Sequence, residues 1–171
     1  MRVTTAFNRL LALPGASVTD VSFSPEGVIV TVRLRRRRLA CGGCVQLATR
    51  LHDRRLKRWR HLDLGAARCH VGCELRRVWC LDCGARSEAV PWARAGPHHT
   101  RDFEDLVAWL AQQVAKTPVR RLMKIGWDTV GNIVERVVAD RIDHGRLPFD
   151  AVGTLTLQEP TTTQLSQQVD P

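Results

Sequence analysis

At 171 residues and 19.2 kDa, with 26 Lys and Arg against 17 Asp and Glu, the chain has room for one or two small domains and carries a formal charge of +9. A hydrophobic fraction of 44% excludes wholesale disorder, and no apolar run approaches the roughly 20 residues of a membrane-spanning helix. Met1–Leu13 lacks the charged-then-apolar order of a signal peptide, so the six cysteines are expected as thiols in a reducing cytoplasm.

In chain order, Met1–Leu13 reads as a short helix covering a β-hairpin, whose strands Val18–Phe23 and Val28–Leu34 alternate around Ser24-Pro25-Glu26-Gly27. The second strand runs into Arg35, Arg36, Arg37 and Arg38. From Arg33 to Leu62 eleven basic residues face a single acid, Asp53, while the rest of the chain is close to neutral. A charge gathered in this way is a patch. A solvated face and an anionic membrane surface are the alternatives. Nucleic acid is favoured because arginine, with its planar fork, outnumbers lysine ten to one and the patch is interwoven with a metal motif. Arg54, Arg55, Lys57, Arg58 and Arg60 join Arg35–Arg38 as candidate DNA contacts.

That motif is Cys41-Gly-Gly-Cys44 and Cys80-Leu-Asp-Cys83. Two intervening residues let a tight turn aim both sulfurs at one point, and two such knuckles complete a tetrahedral zinc site. Gly42, Gly43 and Gly84 suit turns that need positive φ. Cys41, Cys44, Cys80 and Cys83 are therefore the expected ligands of a structural Zn2+, closed to substrate. The intervening Val45–Trp79 must hold strands of its own. Within it, Cys69, Val71, Cys73, Leu75 and Trp79 share one face, interrupted by Arg77, which reads as a core face; auxiliary ligation by Cys69 and Cys73 stays open. His52 and His61 are structural or phosphate-facing residues, with ligation as the alternative.

Pro91 to Pro97 reads as a boundary, with His98-His99 exposed beside it, after which the period changes from two to 3.6. Phe103, Leu106, Val107, Leu110 and Val114 form one helical stripe, capped by Thr100 or Asp102. Thr117-Pro118 starts a second helix that buries Val119, Leu122 and Met123. Ile125-Gly126-Trp127 breaks it and Asp128 caps a third, with Val130, Ile133, Val134, Val137 and Val138 recurring along it. This is a helix-turn-helix pattern, a plain three-helix bundle being the alternative. Thr129, Asn132 and Arg136 are the candidates at base edges, with Arg120, Arg121 and Lys124 on phosphates. Ala151–Pro171, without Lys or Arg and rich in Thr and Gln, is expected to be a disordered tail. The expected fold is α+β: an N-terminal helix and hairpin over residues 1–38, a β-rich zinc ribbon over 39–95, a helix-turn-helix over 100–141, and linker and tail over 142–171.

The two cysteine pairs, with Arg58-Trp59-Arg60-His61-Leu62-Asp63 between them and the helix-turn-helix ending near Asp140, resemble the N-terminal region of insertion-sequence transposases of the ISL-three family. The resemblance covers about Arg2 to Arg141. It implies sequence-specific binding to double-stranded DNA at an element's terminal inverted repeats, ahead of an RNase H-like domain that joins and cuts DNA with three carboxylates and divalent metal. After Asp140 only 31 residues remain, where such a domain needs on the order of 100 or more. Asp143, Asp150, Glu159 and Asp170 form no recognisable metal set. The expectation is thus a truncated, catalytically inert DNA-binding fragment, cytoplasmic and nucleoid-associated, without membrane contact, forming a homodimer or associating with intact transposase. A stand-alone zinc-ribbon regulator is the alternative function. A thiol oxidoreductase is the alternative enzyme, although no βαβ pattern surrounds either cysteine pair.

Overall fold

Helix α1 (Val3–Leu11) turns its Phe7 and Leu11 side toward the first strand, and Asn8 ties the two together by accepting the Val18 N–H at 2.9 Å. Strands β1 (Ala16–Ser24) and β2 (Gly27–Leu34) form the expected hairpin. The computed structural model describes residues 2–36, 38–48, 50–96 and 98–143. Arg37 and the tail expected over Ala151–Pro171 lie outside them.

A second, longer hairpin pairs β3 (Arg50–Leu64) with β4 (Ala67–Cys80), and β5 (Gly84–Ser87) returns along β4 after the second knuckle. The sheet order is β1-β2-β4-β3. Strand β2 runs parallel to β4, bringing Val28, Val30 and Val32 beside Cys69, Val71 and Cys73. All six are buried, and with Leu11, Leu13, Leu75, Trp59 and Trp92 they form the main core. Trp59 and Trp92 meet edge to face at 5.8 Å, the geometry that ring quadrupoles favour.

Trp79 departs from the expected core face: it is 50% exposed, whereas Val78 beside it is fully buried. The extra residue in this pairing lies on β3, around His52, so the alternation of β4 itself continues. What changes is the covered side. Cys69, Val71, Cys73 and Leu75 face the main core, while at the far end Val78 and Cys80, on the other face, are the covered residues, Cys80 among the converging cysteines. Trp92, Ala93 and Arg94 are also buried, so the proline-flanked stretch is packed structure rather than a loose linker.

Helix α2 (Arg101–Gln113) is capped by Thr100, whose hydroxyl accepts the Phe103 N–H. Helix α3 spans Lys116–Met123 and helix α4 spans Trp127–Asp143. Helix α3 starts one residue before Thr117, and Asp128 is not a cap. Both residues lie inside the first turn, where Pro118 is tolerated because its missing N–H has no intrahelical partner to lose. Leu122 is 65% exposed; Val119 and Met123 carry the buried side of α3. They pack with Phe103, Val107, Ala108, Val130, Ile133 and Val137 into a second core. The chain divides into two compact units, Met1–Val137 and Val138–Pro171. The described part of the second is the final stretch of α4, residues 138–143. Among the described residues no helix is long and apolar enough to cross a membrane.

Candidate metal centre and nucleic-acid interface

The first knuckle is held between two chain segments. The Cys41 N–H donates to Gln46 O at 2.8 Å and the Val45 N–H returns to Cys41 O at 2.9 Å, while Gly42 N–H donates to Ser87 O at 2.9 Å. The second knuckle is the β4–β5 turn, closed by the Cys80–Gly84 pair with Gly84 at φ +69°. The corresponding position of the first knuckle, after its second cysteine, is Val45 at φ +63°. A β-branched residue there is strained. Gly42 and Gly43 do not take positive φ. Gly42 is required by space, since a Cβ there would lie 2.5 Å from Ser87 O; one on Gly43 would crowd the Cys83 sulfur at 3.1 Å.

The sulfurs of Cys41, Cys44, Cys80 and Cys83 all lie within 4.8 Å of one another, and Cys44 Sγ is 3.5 Å from Cys80 Sγ. Tetrahedral thiolates about 2.3 Å from one ion stand roughly 3.8 Å apart, so the set fits a single metal ion. Burial works to raise the Cys41 thiol, but the Cys44 and Gly43 N–H groups aimed at its sulfur outweigh it and bring it down to about 7. Cys83 is pushed up to about 12, first by its hydrogen bond with Cys44 and then by burial. Cys69 and Cys73 are core residues, each pushed up to about 11 by burial, and neither joins the cluster.

The knuckle is fastened by an unanticipated ion pair. Glu88, only 4% exposed, accepts the Arg76 backbone N–H at 2.8 Å and takes the Arg76 guanidinium in a fork. Arg76 in turn donates to Arg36 O.

The basic stretch divides sharply. Arg38, Arg55 and Arg58 are exposed on the surface, and Arg54 makes only an exposed pair with Glu74. Arg35 donates to Ser17 Oγ, Arg36 to Ala89 O, and Lys57 lies 5.2 Å from the Trp59 ring centre with a bond to Gly96 O. Arg60 turns inward: it pairs with Asp63, lies over the Phe103 ring and is only 11% exposed at its side chain. The hexapeptide containing it joins the two cores. Trp59 enters the sheet core, Leu62 packs on the helical core, and His61 Nδ1 meets the Thr100 hydroxyl at 2.9 Å. Asp63 also receives Lys124 at 3.4 Å. Burial lowers the pKa of His61, as it does for His99.

Arg136, expected at base edges, also turns inward. It donates through Nε and Nη2 to Glu104 at 3.1 and 2.8 Å. Glu104 is fully buried on α2, and Arg94, 6% exposed, grips its other oxygen at 3.1 Å. His99 is not an exposed linker residue; it stacks on Phe103 at 5.1 Å and lies 3.9 Å from Glu104. Sequence reading missed this hub. Its one local signal is Glu104 four residues before Ala108 on the buried side of α2. Arg120, Arg121 and Asn132 remain exposed and Thr129 half-buried, with Lys124 held at the turn in the left-handed conformation.

Residues 88–138 match the helix-turn-helix domain of transposase family ISL3, a DNA-binding module of transposition. Over 156 residues the chain is 41% identical to transposases for insertion sequence element IS1557 from Mycobacterium tuberculosis strains CDC 1551 / Oshkosh and ATCC 25618 / H37Rv. That match takes in 84% of this chain and 35% of each relative, so the chain spans about a third of their length. No solved structure matches.

Proposed function

We propose, from the chain's membership of the ISL3 transposase family, that its ribbon and helix-turn-helix bind double-stranded DNA at the terminal inverted repeats of an insertion sequence. The observation that carries this reading is the coincidence of the matched segment with α2, α3 and most of α4. Helix α3 presents Lys116, Arg120 and Arg121 to solvent, whereas α4 exposes Asp128 and Glu135 beside Asn132. Phosphate anchoring therefore falls to α3 and base reading to Asn132 and Thr129. Arg38, Arg54, Arg55 and Arg58 extend the phosphate-binding surface along the ribbon. Arg60 and Arg136 support the fold instead.

The metal is zinc, held by Cys41, Cys44, Cys80 and Cys83: four soft thiolates suit it, and they leave no position for water. Its contribution is a cross-link between the knuckles. Strand transfer, an activity of whole transposases, is not assigned to the described residues. The working assembly on paired ends is a homodimer or a complex with a full-length transposase, at the nucleoid.

Asn132→Ala should relax preference at one base position by about 1–3 kcal/mol. The Arg120→Ala/Arg121→Ala pair should instead weaken binding to every sequence alike and flatten its salt dependence. Both variants binding inverted-repeat DNA as the parent does would refute the assignment.

A further inference from the structure

Trp79, expected on the core face of β4, is instead left uncovered, and it sits in cationic surroundings. It pairs across the sheet with Arg50 on β3, one residue before the ligand Cys80. Trp79, Arg50, Leu51 and His52 line an open concavity of about 340 Å³. Trp79 is 50% exposed and Leu51 45%, so a broad ring face and an apolar floor are open to solvent. Arg55, paired with Leu75, follows on the same face of β3, and the β5 neighbour of Trp79 is the small Ala85, which leaves the ring open on that side. The acid of this stretch, Asp53, already receives Arg77 at 2.9 Å.

We propose that this concavity stacks an unpaired nucleobase on Trp79, with Arg50 holding the adjoining phosphate. Duplex DNA offers backbone to a cationic surface but keeps its base faces stacked inside. An aromatic ring set among arginines suits a base released from that stack, and does so without regard to its identity. A protein partner would gain from the apolar floor but would have to bury Arg50 and Arg55 or supply acids to them. The inference rests on the DNA-binding reading above and adds a single-stranded element to it.

The test measures binding of the metal-loaded full chain to three labelled DNAs: a blunt duplex, the same duplex with a short single-stranded overhang, and a free oligothymidylate. The overhang should tighten binding about tenfold for the parent chain, and Trp79→Ala should abolish that gain while leaving the blunt duplex unchanged. Trp79→Phe should keep most of it, and Arg50→Ala should lose several-fold on the overhang and the oligothymidylate. Metal content is measured for each variant. Should Trp79→Ala lose metal, the comparison of Trp79→Phe and Arg50→Ala with the parent decides. A parent without overhang preference, or variants that retain it in full, overturns the proposal, as does a Trp79→Ala effect confined to oligomeric state. Failure on the blunt duplex alone would strike the helix-turn-helix reading and leave the oligothymidylate arm to judge Trp79.

Discussion

The ribbon end and the helical module solve the same problem by different means. At the ribbon end, Val45, Leu47 and Leu81 are 65%, 64% and 91% exposed, so the knuckles hold little apolar surface in common and depend on four converging sulfurs. The helical module has its own apolar core and, inside it, a carboxylate gripped by two guanidiniums. One region is closed by a ligand it must acquire, the other by charges it already carries. The difference teaches that metal loss and charge loss should damage the molecule in separable places.

The largest separation should come from chelation or Cys41→Ser/Cys44→Ser. Structural zinc sites are worth on the order of 10 kcal/mol of binding free energy. Amide exchange should accelerate around residues 38–48 and 78–88 while α2 and α3 stay protected. Uniform loss of protection would break the comparison. The reciprocal lesion is Glu104→Ala, which removes the buried carboxylate that Arg94 and Arg136 share, leaves Arg94 with Asp105 at 2.8 Å, and should cost about 3 kcal/mol in denaturant unfolding, without releasing metal. Metal release in that variant would show that the two regions are a single cooperative unit.

Acid should strain the joint between them. Burial lowers the pKa of His61, His70 and His99 below the ordinary 6.5, so the unfolded chain binds more protons in that range and stability falls as pH drops below about 6.5. His61→Gln should shallow the decline in the denaturation midpoint with metal held saturating; an unchanged slope would remove His61 from the account. The smallest effect should be a gain. Val45→Gly relieves a β-branched residue at positive φ and should stabilise the ribbon by about 1 kcal/mol, read as a higher chelator concentration for half-release of metal. Unchanged or easier release would mean that the strain is absorbed elsewhere.

What could be read from sequence follows chain locality. Each knuckle is four residues long, so its cysteines declare themselves by spacing, and the helical stripes do so by period. The β1–β2 hairpin likewise lies within one short stretch. The parallel β2–β4 pair joins segments some forty residues apart through a connection with no helix among its described residues, and alternation carries no trace of it. The Glu104 hub draws Arg94, His99 and Arg136 from separate segments, and the arginines counted as a surface patch include one that turns inward, Arg60. Gly42 and Gly43 were legible as turn residues but for the wrong reason: proximity to the Ser87 backbone excludes a side chain at Gly42 and crowding by the Cys83 sulfur disfavours one at Gly43, with backbone conformation playing no part.

The most direct test of the central claim is a salt titration of the metal-loaded chain on labelled duplex carrying the terminal inverted repeats of a matching insertion sequence, with scrambled duplex as competitor. Expected is tight binding that weakens steeply with salt and a several-fold preference for the repeat, with Cys41→Ser/Cys44→Ser weakening binding to both duplexes while keeping that preference. Equal affinity for repeat and scrambled duplex, or no binding at low salt, would contradict it.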